Sequence, residues 1–149
     1  MKKFILPSFC AFALLFSCNN DDDSSIESES IVGTWSFIKY QTQYSKDNKI
    51  EDEDIADECS AKTSYTFSKE NLFSLTEYYK SGGVCNSYTN NNGTYNITGK
   101  KLIINYGPGD NDEIEIVKLT KNELVLKADY GEDLDGDGKN EIDILVLKR

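Results

Sequence analysis

Ile31-Val32-Gly33-Thr34-Trp35-Ser36-Phe37-Ile38-Lys39-Tyr40 is the stretch on which the fold turns. It carries the chain's one tryptophan, and its apolar residues alternate, Trp35 and Phe37 on one face against Ile38 and Tyr40 on the other. Aromatic and β-branched residues at a period of two make a half-buried strand. Short strands follow it, so it reads as the first strand of a barrel that the downstream chain closes.

Upstream lies a different kind of sequence. Met1-Lys2-Lys3 is a positive n-region, and Phe4 to Phe16 is an apolar run of secretory length, too short to span a membrane. It ends Leu15-Phe16-Ser17-Cys18, which resembles a bacterial lipobox and implies cleavage after Ser17 and lipidation of Cys18. An ordinary leader with a chance cysteine is the alternative. Cys10 would leave with the leader. Asn19 to Ser30, with Asp21-Asp22-Asp23 and almost no apolar content, reads as a flexible tether. An acidic run directly after a lipidated cysteine resembles a surface-export signal, with a merely solvated tether as the alternative. The expected division is therefore 1–17 leader, 18–30 anchor and tether, and 31–149 barrel domain. The expected location is the outer membrane of a Gram-negative bacterium, on its outer face.

Downstream, Gln41 to Ala61 is polar and acidic and reads as a long loop or lid rather than a strand. Thr63 to Phe67, Leu72 to Tyr79, Val84 to Thr89, Thr94 to Thr98, Lys101 to Tyr106, Glu113 to Leu119, Glu123 to Tyr130 and Ile142 to Lys148 read as strands. Ser68 to Asn71, Ser81-Gly82-Gly83, Asn90-Asn91-Asn92-Gly93, Gly99-Lys100 and Gly107 to Asn111 read as the turns between them. Eight or nine strands at roughly 8–12-residue spacing, with local connections and no convincing helix, predict an all-β, up-and-down antiparallel barrel. Cys59 and Cys85 remain as an even pair in an exported chain and read as a disulfide.

The charge excludes several functions. A net charge of −10 repels phosphate backbones, so nucleic acid is not an expected partner, and membrane attachment must come from the lipid on Cys18. The chain has no histidine, the commonest general base and transition-metal ligand. No nucleophile–base pair or phosphate-cradling glycine motif stands out, and no enzymatic activity is expected.

Taken in order, Gly33-Thr34-Trp35, Cys59, Ser64-Tyr65-Thr66-Phe67, Cys85, Gly93-Thr94-Tyr95-Asn96-Ile97 and Leu124-Val125-Leu126-Lys127 resemble the bacterial lipocalin-like lipoprotein family. The resemblance spans about Ile31 to Leu126. It implies a small antiparallel barrel with a binding role. It also implies an arginine over the tryptophan, for which Arg149 is the candidate.

Asp133-Leu134-Asp135-Gly136-Asp137-Gly138-Lys139-Asn140-Glu141 carries the sharpest chemical signal. Carboxylates at alternate positions, a turning glycine and a later acid suit a hard cation that needs many oxygens. Asp133, Asp135, Asp137 and Glu141 would give side chains and Lys139 its carbonyl, with calcium in a structural role. The loop departs from an EF-hand, since Ile144 stands at the twelfth position and a strand follows directly. An acidic hairpin without metal is the alternative.

Two functions stay open. In the first, the barrel holds a small, partly apolar ligand, with Trp35, Phe37, Tyr65, Phe67, Tyr95, Leu102 and Ile104 as binding residues. Ile97, Ile114, Ile116, Leu124 and Leu126 would complete the interior. In the second, those side chains fill the barrel shut. The protein would then be a calcium-braced module meeting a protein or glycan through Gln41 to Tyr44 and Tyr78 to Asn92.

Overall fold

The computed structural model describes residues 29–129 and 131–149, apart from the side chains at 89–91. The expected leader, Cys10, Cys18 and nearly all of the tether lie outside the described residues, as does Tyr130. Nine strands run in order: β1 Gly33–Gln43, β2 Ile50–Ile55, β3 Ser64–Phe67, β4 Leu72–Ser81, β5 Val84–Thr98, β6 Lys101–Gly107, β7 Asp110–Leu119, β8 Glu123–Asp129 and β9 Ile142–Lys148. From β3 onward each strand pairs antiparallel with the next, and β9 returns to β1 along Ser36↔Lys148 to Gln43↔Ile142. The sheet thereby closes on itself as a barrel, with β2 as an added strand whose outer edge stays unpaired among the described residues. The expected up-and-down antiparallel barrel is what the chain forms.

The nine strands are not the nine expected. Gln41 to Ala61 is not a plain loop: β1 continues to Gln43, the chain turns through 44–49, and β2 pairs back along Lys39↔Ile55 to Gln43↔Ile50. All of β2 is exposed. With neither face buried, it needs no hydrophobic alternation, so composition hides it. Its ladder to β1 and the ion pair of Lys39 Nζ with Glu53 at 2.8 Å hold it instead. On the same edge of β1, β3 takes the lower half, Gly33–Ser36, leaving β2 as an extension of the wall.

The expected Asn90 to Gly93 turn is the second correction, for β5 runs straight through it. Ser74 pairs Asn92 and Leu75 pairs Asn90, so Asn91 is an extra residue bulged out of the ladder. Gly93 serves close approach rather than turning. A Cβ there would strike the Asn105 carbonyl of β6. The turn that does reverse the chain is Gly82-Gly83, at φ 59° and 81° between paired Ser81 and Val84, the conformation that favours glycine in tight hairpins.

A bulge also changes the face of Tyr40. Phe37 pairs Leu147 but Lys39 pairs Val146, so Ile38 is extra and the alternation shifts by one. Tyr40 was expected outside with Ile38; it lines the interior instead.

The core sits low in the barrel. Trp35, Phe67, Leu102, Ile116, Leu124 and Leu147 are fully buried there, and Ile31, Phe73, Leu75, Tyr95, Ile104, Ile114, Leu119 and Leu126 pack with them. Phe37, Tyr65 and Ile97 are half-buried against this cluster.

Candidate functional site

The lower end is sealed by one constellation. Trp35 Nε1 donates to the Ile31 carbonyl at 2.8 Å, and the Arg149 guanidinium lies 4.3 Å from the centroid of the Trp35 ring. Arg149 also donates to the carbonyls of Lys121 (2.6 Å), Val32 (3.0 Å) and Ser30 (3.3 Å). It therefore ties the entry of β1 to the turn before β8 while facing the ring with its charge. Gly33 makes room for this: its φ is +138°, and a Cβ would come within 3.2 Å of Arg149 Nη1.

Above the sealed end the barrel is hollow. A cavity of about 250 Å³ is lined by Tyr65, Phe67, Phe73, Leu75, Ile104, Tyr106, Ile114, Leu126, Ala128 and Leu145, with Tyr40, Asp112, Lys127 and Asp143 also on its wall. Its aromatic side is a connected stack. The Phe67 ring lies 5.2 Å from Phe73 and 5.1 Å, edge-on, from Tyr95; Phe73 lies 6.1 Å from Tyr106 and 6.5 Å from Tyr65. The Tyr95 hydroxyl donates to the Ser68 carbonyl at 2.7 Å, and burial, followed by the nearby Glu70 charge, pushes its phenol pKa up. Polar groups include Asp112, which accepts from the Tyr106 hydroxyl at 3.0 Å, and Asp143, which accepts from Thr42 at 3.3 Å.

A second depression of about 350 Å³ shares Tyr40, Tyr65 and Leu145 with the cavity and adds Phe37, Glu77, Tyr78, Tyr79 and Tyr88. Together they form a funnel, with apolar and aromatic walls below and tyrosines with carboxylates above. A groove of about 540 Å³ is larger; Ile114, Ala128 and Ile142 give it some apolar wall, but Thr98, Lys100, Lys101, Glu113 and Glu115 along it are exposed and no aromatic ring lines it, so it is the weaker candidate for a ligand pocket.

Of the residues the sequence singled out for ligand contact, Tyr65, Phe67 and Ile104 line the cavity and Phe37 lines the depression. Trp35, Tyr95 and Leu102 belong to the packed core and do not line either space. Sequence reading missed Phe73, Leu75, Tyr106, Ala128 and Leu145. Leu75 and Phe73 alternate along β4 and Leu145 and Leu147 along β9, a usable signal. Tyr40 carried none, because a bulge re-aims it.

The β8–β9 loop stands beside this opening. Glu132, Leu134 and Glu141 enclose a further depression with Tyr40, Thr42 and Asp143, two of which also line the cavity. Carboxylate oxygens of Asp133, Asp135 and Glu141 lie within 4.8 Å of one another. Asp137 is not part of that cluster: its Oδ1 accepts the Lys139 N–H at 2.9 Å. Tyr44, in the turn just after β1, faces the same charges. Its phenol pKa is raised first by a hydrogen bond to Glu51, then by burial and the Glu51 charge, with Asp135 and Glu141 adding.

Cys59 and Cys85 form the expected disulfide, with Cα atoms 5.5 Å apart. It joins the turn before β3 to the β4–β5 hairpin that carries Tyr79 and Tyr88.

Solved structures that resemble the chain include a dog lipocalin allergen (14% identity, TM-score 0.44, covering 80% of this chain and 74% of that one). A bovine odorant binding protein in complex with a selenium-containing odorant is similar at 15% identity and TM-score 0.42, over 78% of this chain and 71% of that one. Aphrodisin, a sex pheromone from female hamster, is similar at 13% identity and TM-score 0.42, over 80% and 75%. Among curated proteins, no sequence relative matches. The profile of the lipocalin-like domain matches residues 31–126, from the residue that receives the Trp35 hydrogen bond into β8, well over half of the chain. The chain belongs to the lipocalin-like domain family.

Proposed function

We propose that the protein is a binding module, not a catalyst, and that it holds a small amphipathic ligand in the upper half of its barrel. The cavity of about 250 Å³ carries this reading, because a filled barrel would leave no such space between Tyr65, Phe73, Tyr106 and Leu126. Its size is just below the roughly 300 Å³ lower end of ordinary ligand pockets, so the ligand is small. Its chemistry is asymmetric. The wall is aromatic and aliphatic, whereas Glu77, Asp112 and Asp143 stand around the opening with Lys127 as the one cation among the lining residues. An apolar body with a donor or cationic head suits that opening; a carboxylate head is repelled.

Native mass spectrometry of the gently purified protein tests the proposal. An added mass of a few hundred daltons that is lost on denaturation supports it. A clean protein mass, together with failure of an aromatic amine series to displace an environment-sensitive dye, removes it. It would turn attention to the β4–β5 hairpin, whose Tyr79, Val84 and Tyr88 are exposed, as a surface for a protein or glycan. The charge preference has its own readout: an aryl-alkyl amine binds at least tenfold more tightly than the matching acid.

The proposal includes the anchor. Leu15-Phe16-Ser17-Cys18 and the acidic tether support lipidation at Cys18 and display at the outer membrane. Cys18→Ala then releases the protein from membranes, and loss of surface protease sensitivity would instead place it on the inner face.

A further inference from the structure

We infer that the β8–β9 loop is a calcium site built on Asp133, Asp135 and Glu141. Exposed carboxylates in a cluster carry little by themselves, and the observation that gives this cluster meaning is Glu141. Its side chain belongs to a residue only 4% exposed, yet among the described residues the buried Oε1 has no hydrogen-bond partner. Oε2 accepts the N–H of Leu134 at 2.5 Å. Among the described residues no lysine or arginine pairs with it. A buried carboxylate so poorly compensated is costly, and its cost grows with two further carboxylates within 4.8 Å. A divalent cation among the three relieves both terms and gives Oε1 the partner it lacks.

The rest of the loop is already arranged for this. Asp133 Oδ1 accepts the N–H groups of Gly136 (2.8 Å) and Asp137 (3.1 Å), and Oδ2 accepts that of Gly138 (2.9 Å), so the first carboxylate is fixed in place. Gly136 and Gly138 supply the left-handed turns, at φ 74° and 85°, that wrap the backbone around it. The Glu141 N–H donates to the Glu132 carbonyl at 2.7 Å, closing the base of the loop against β9. All side-chain donors are oxygens, which selects a hard cation over zinc or copper. A loop of partly exposed carboxylates that must add carbonyls or water suits calcium, with its six to eight flexible ligands, better than magnesium, which demands a near-ideal octahedron.

Calcium titration after chelation and desalting tests the inference, read by calorimetry and by thermal unfolding. The expected dissociation constant is about 0.1–1 mM, as for extracellular calcium loops, with magnesium at least tenfold weaker. Asp135→Asn and Glu141→Gln each weaken calcium binding at least tenfold, whereas Glu115→Gln, on an exposed strand position, leaves it unchanged. Glu141→Gln separates a ligand from a merely structural acid. It keeps an acceptor for the Leu134 N–H but removes the buried charge, so the metal-free variant unfolds no lower than the metal-free parent while losing its response to calcium. A parent protein indifferent to 10 mM calcium overturns the site. So does an equal calcium response in the parent, Asp135→Asn and Glu141→Gln, which would mean that the metal acts only through the net charge.

Discussion

At the scale of single residues, Arg149 and Trp35 decide how the barrel ends. The indole is fully buried and its one donor is used on Ile31, so its far face is what remains for a cation to occupy. Arg149→Ala removes the ring contact and three hydrogen bonds to backbone carbonyls, at a cost of about 2 kcal/mol given typical cation–π and charged hydrogen-bond contributions. Chemical denaturation followed by Trp35 fluorescence measures it, and Arg149→Lys recovers only part of the loss because an ammonium lacks the planar fork. Asp57 gives a pH signature. Its carboxylate accepts the Ser60 and Cys59 N–H groups and the Ser60 hydroxyl, and these hold its pKa below the ordinary 3.8. A depressed folded pKa means that this stabilisation is full above 3.8 and disappears as pH falls through the lower value. Melting temperature against pH should accordingly drop less steeply below pH 4 in Asp57→Asn than in the parent.

At the scale of elements, the bulges set which face each strand presents. In β7, Ile116 pairs Leu126 and Lys118 pairs Val125, so Val117 is extra; Ile114 and Ile116 point inward before it and Leu119 after it. Without the bulge, strict alternation would put Lys118 in the core. Deleting Val117 itself removes the extra residue and leaves Ile116 inward, Lys118 outward and Leu119 inward, so the barrel tolerates it to within about 1 kcal/mol, whereas deleting Val125, which is no extra residue, turns Leu124 or Leu126 outward and costs at least about 2 kcal/mol. Urea denaturation of the two variants checks the contrast. The Cys59–Cys85 bridge acts on a different pair of elements. It closes a loop of sequence separation 26, and reducing it lowers stability by about 3 kcal/mol in the chain-entropy account, seen as a fall in the urea midpoint with dithiothreitol.

At the scale of the whole molecule, function rests on the barrel being packed below and open above. The sealed end takes its side chains from the lower ends of β1, β3, β6, β7, β8 and β9, and the upper ends leave space that Ala128 helps to preserve. Ala128→Phe places a ring in that space, so it should abolish binding of any cavity ligand while changing the melting temperature by only a degree or two. Dye displacement and thermal unfolding on the same sample read both quantities.

By itself the sequence determined the class of fold and much of the core. Period-two alternation in Trp35 and Phe37, Tyr65 and Phe67, Leu102 and Ile104, and Leu124 and Leu126 is visible without coordinates, because burying one face of a pleated strand imposes it. It also marked the acidic loop and the cysteine pair, since residue type and spacing alone express their chemistry. The tertiary structure decided where alternation breaks. Ile38, Asn91 and Val117 are bulged by the fit of neighbouring strands, and no local preference announces them. It decided that β2 is a strand, held by its partner rather than by burial, and that the Asn-Gly pair lies inside β5 because β6 passes too close for a side chain at Gly93. It decided, too, which aromatic residues fill the barrel and which surround a cavity. Volume left unfilled depends on how all eight walls tilt together, and no single strand's sequence contains it.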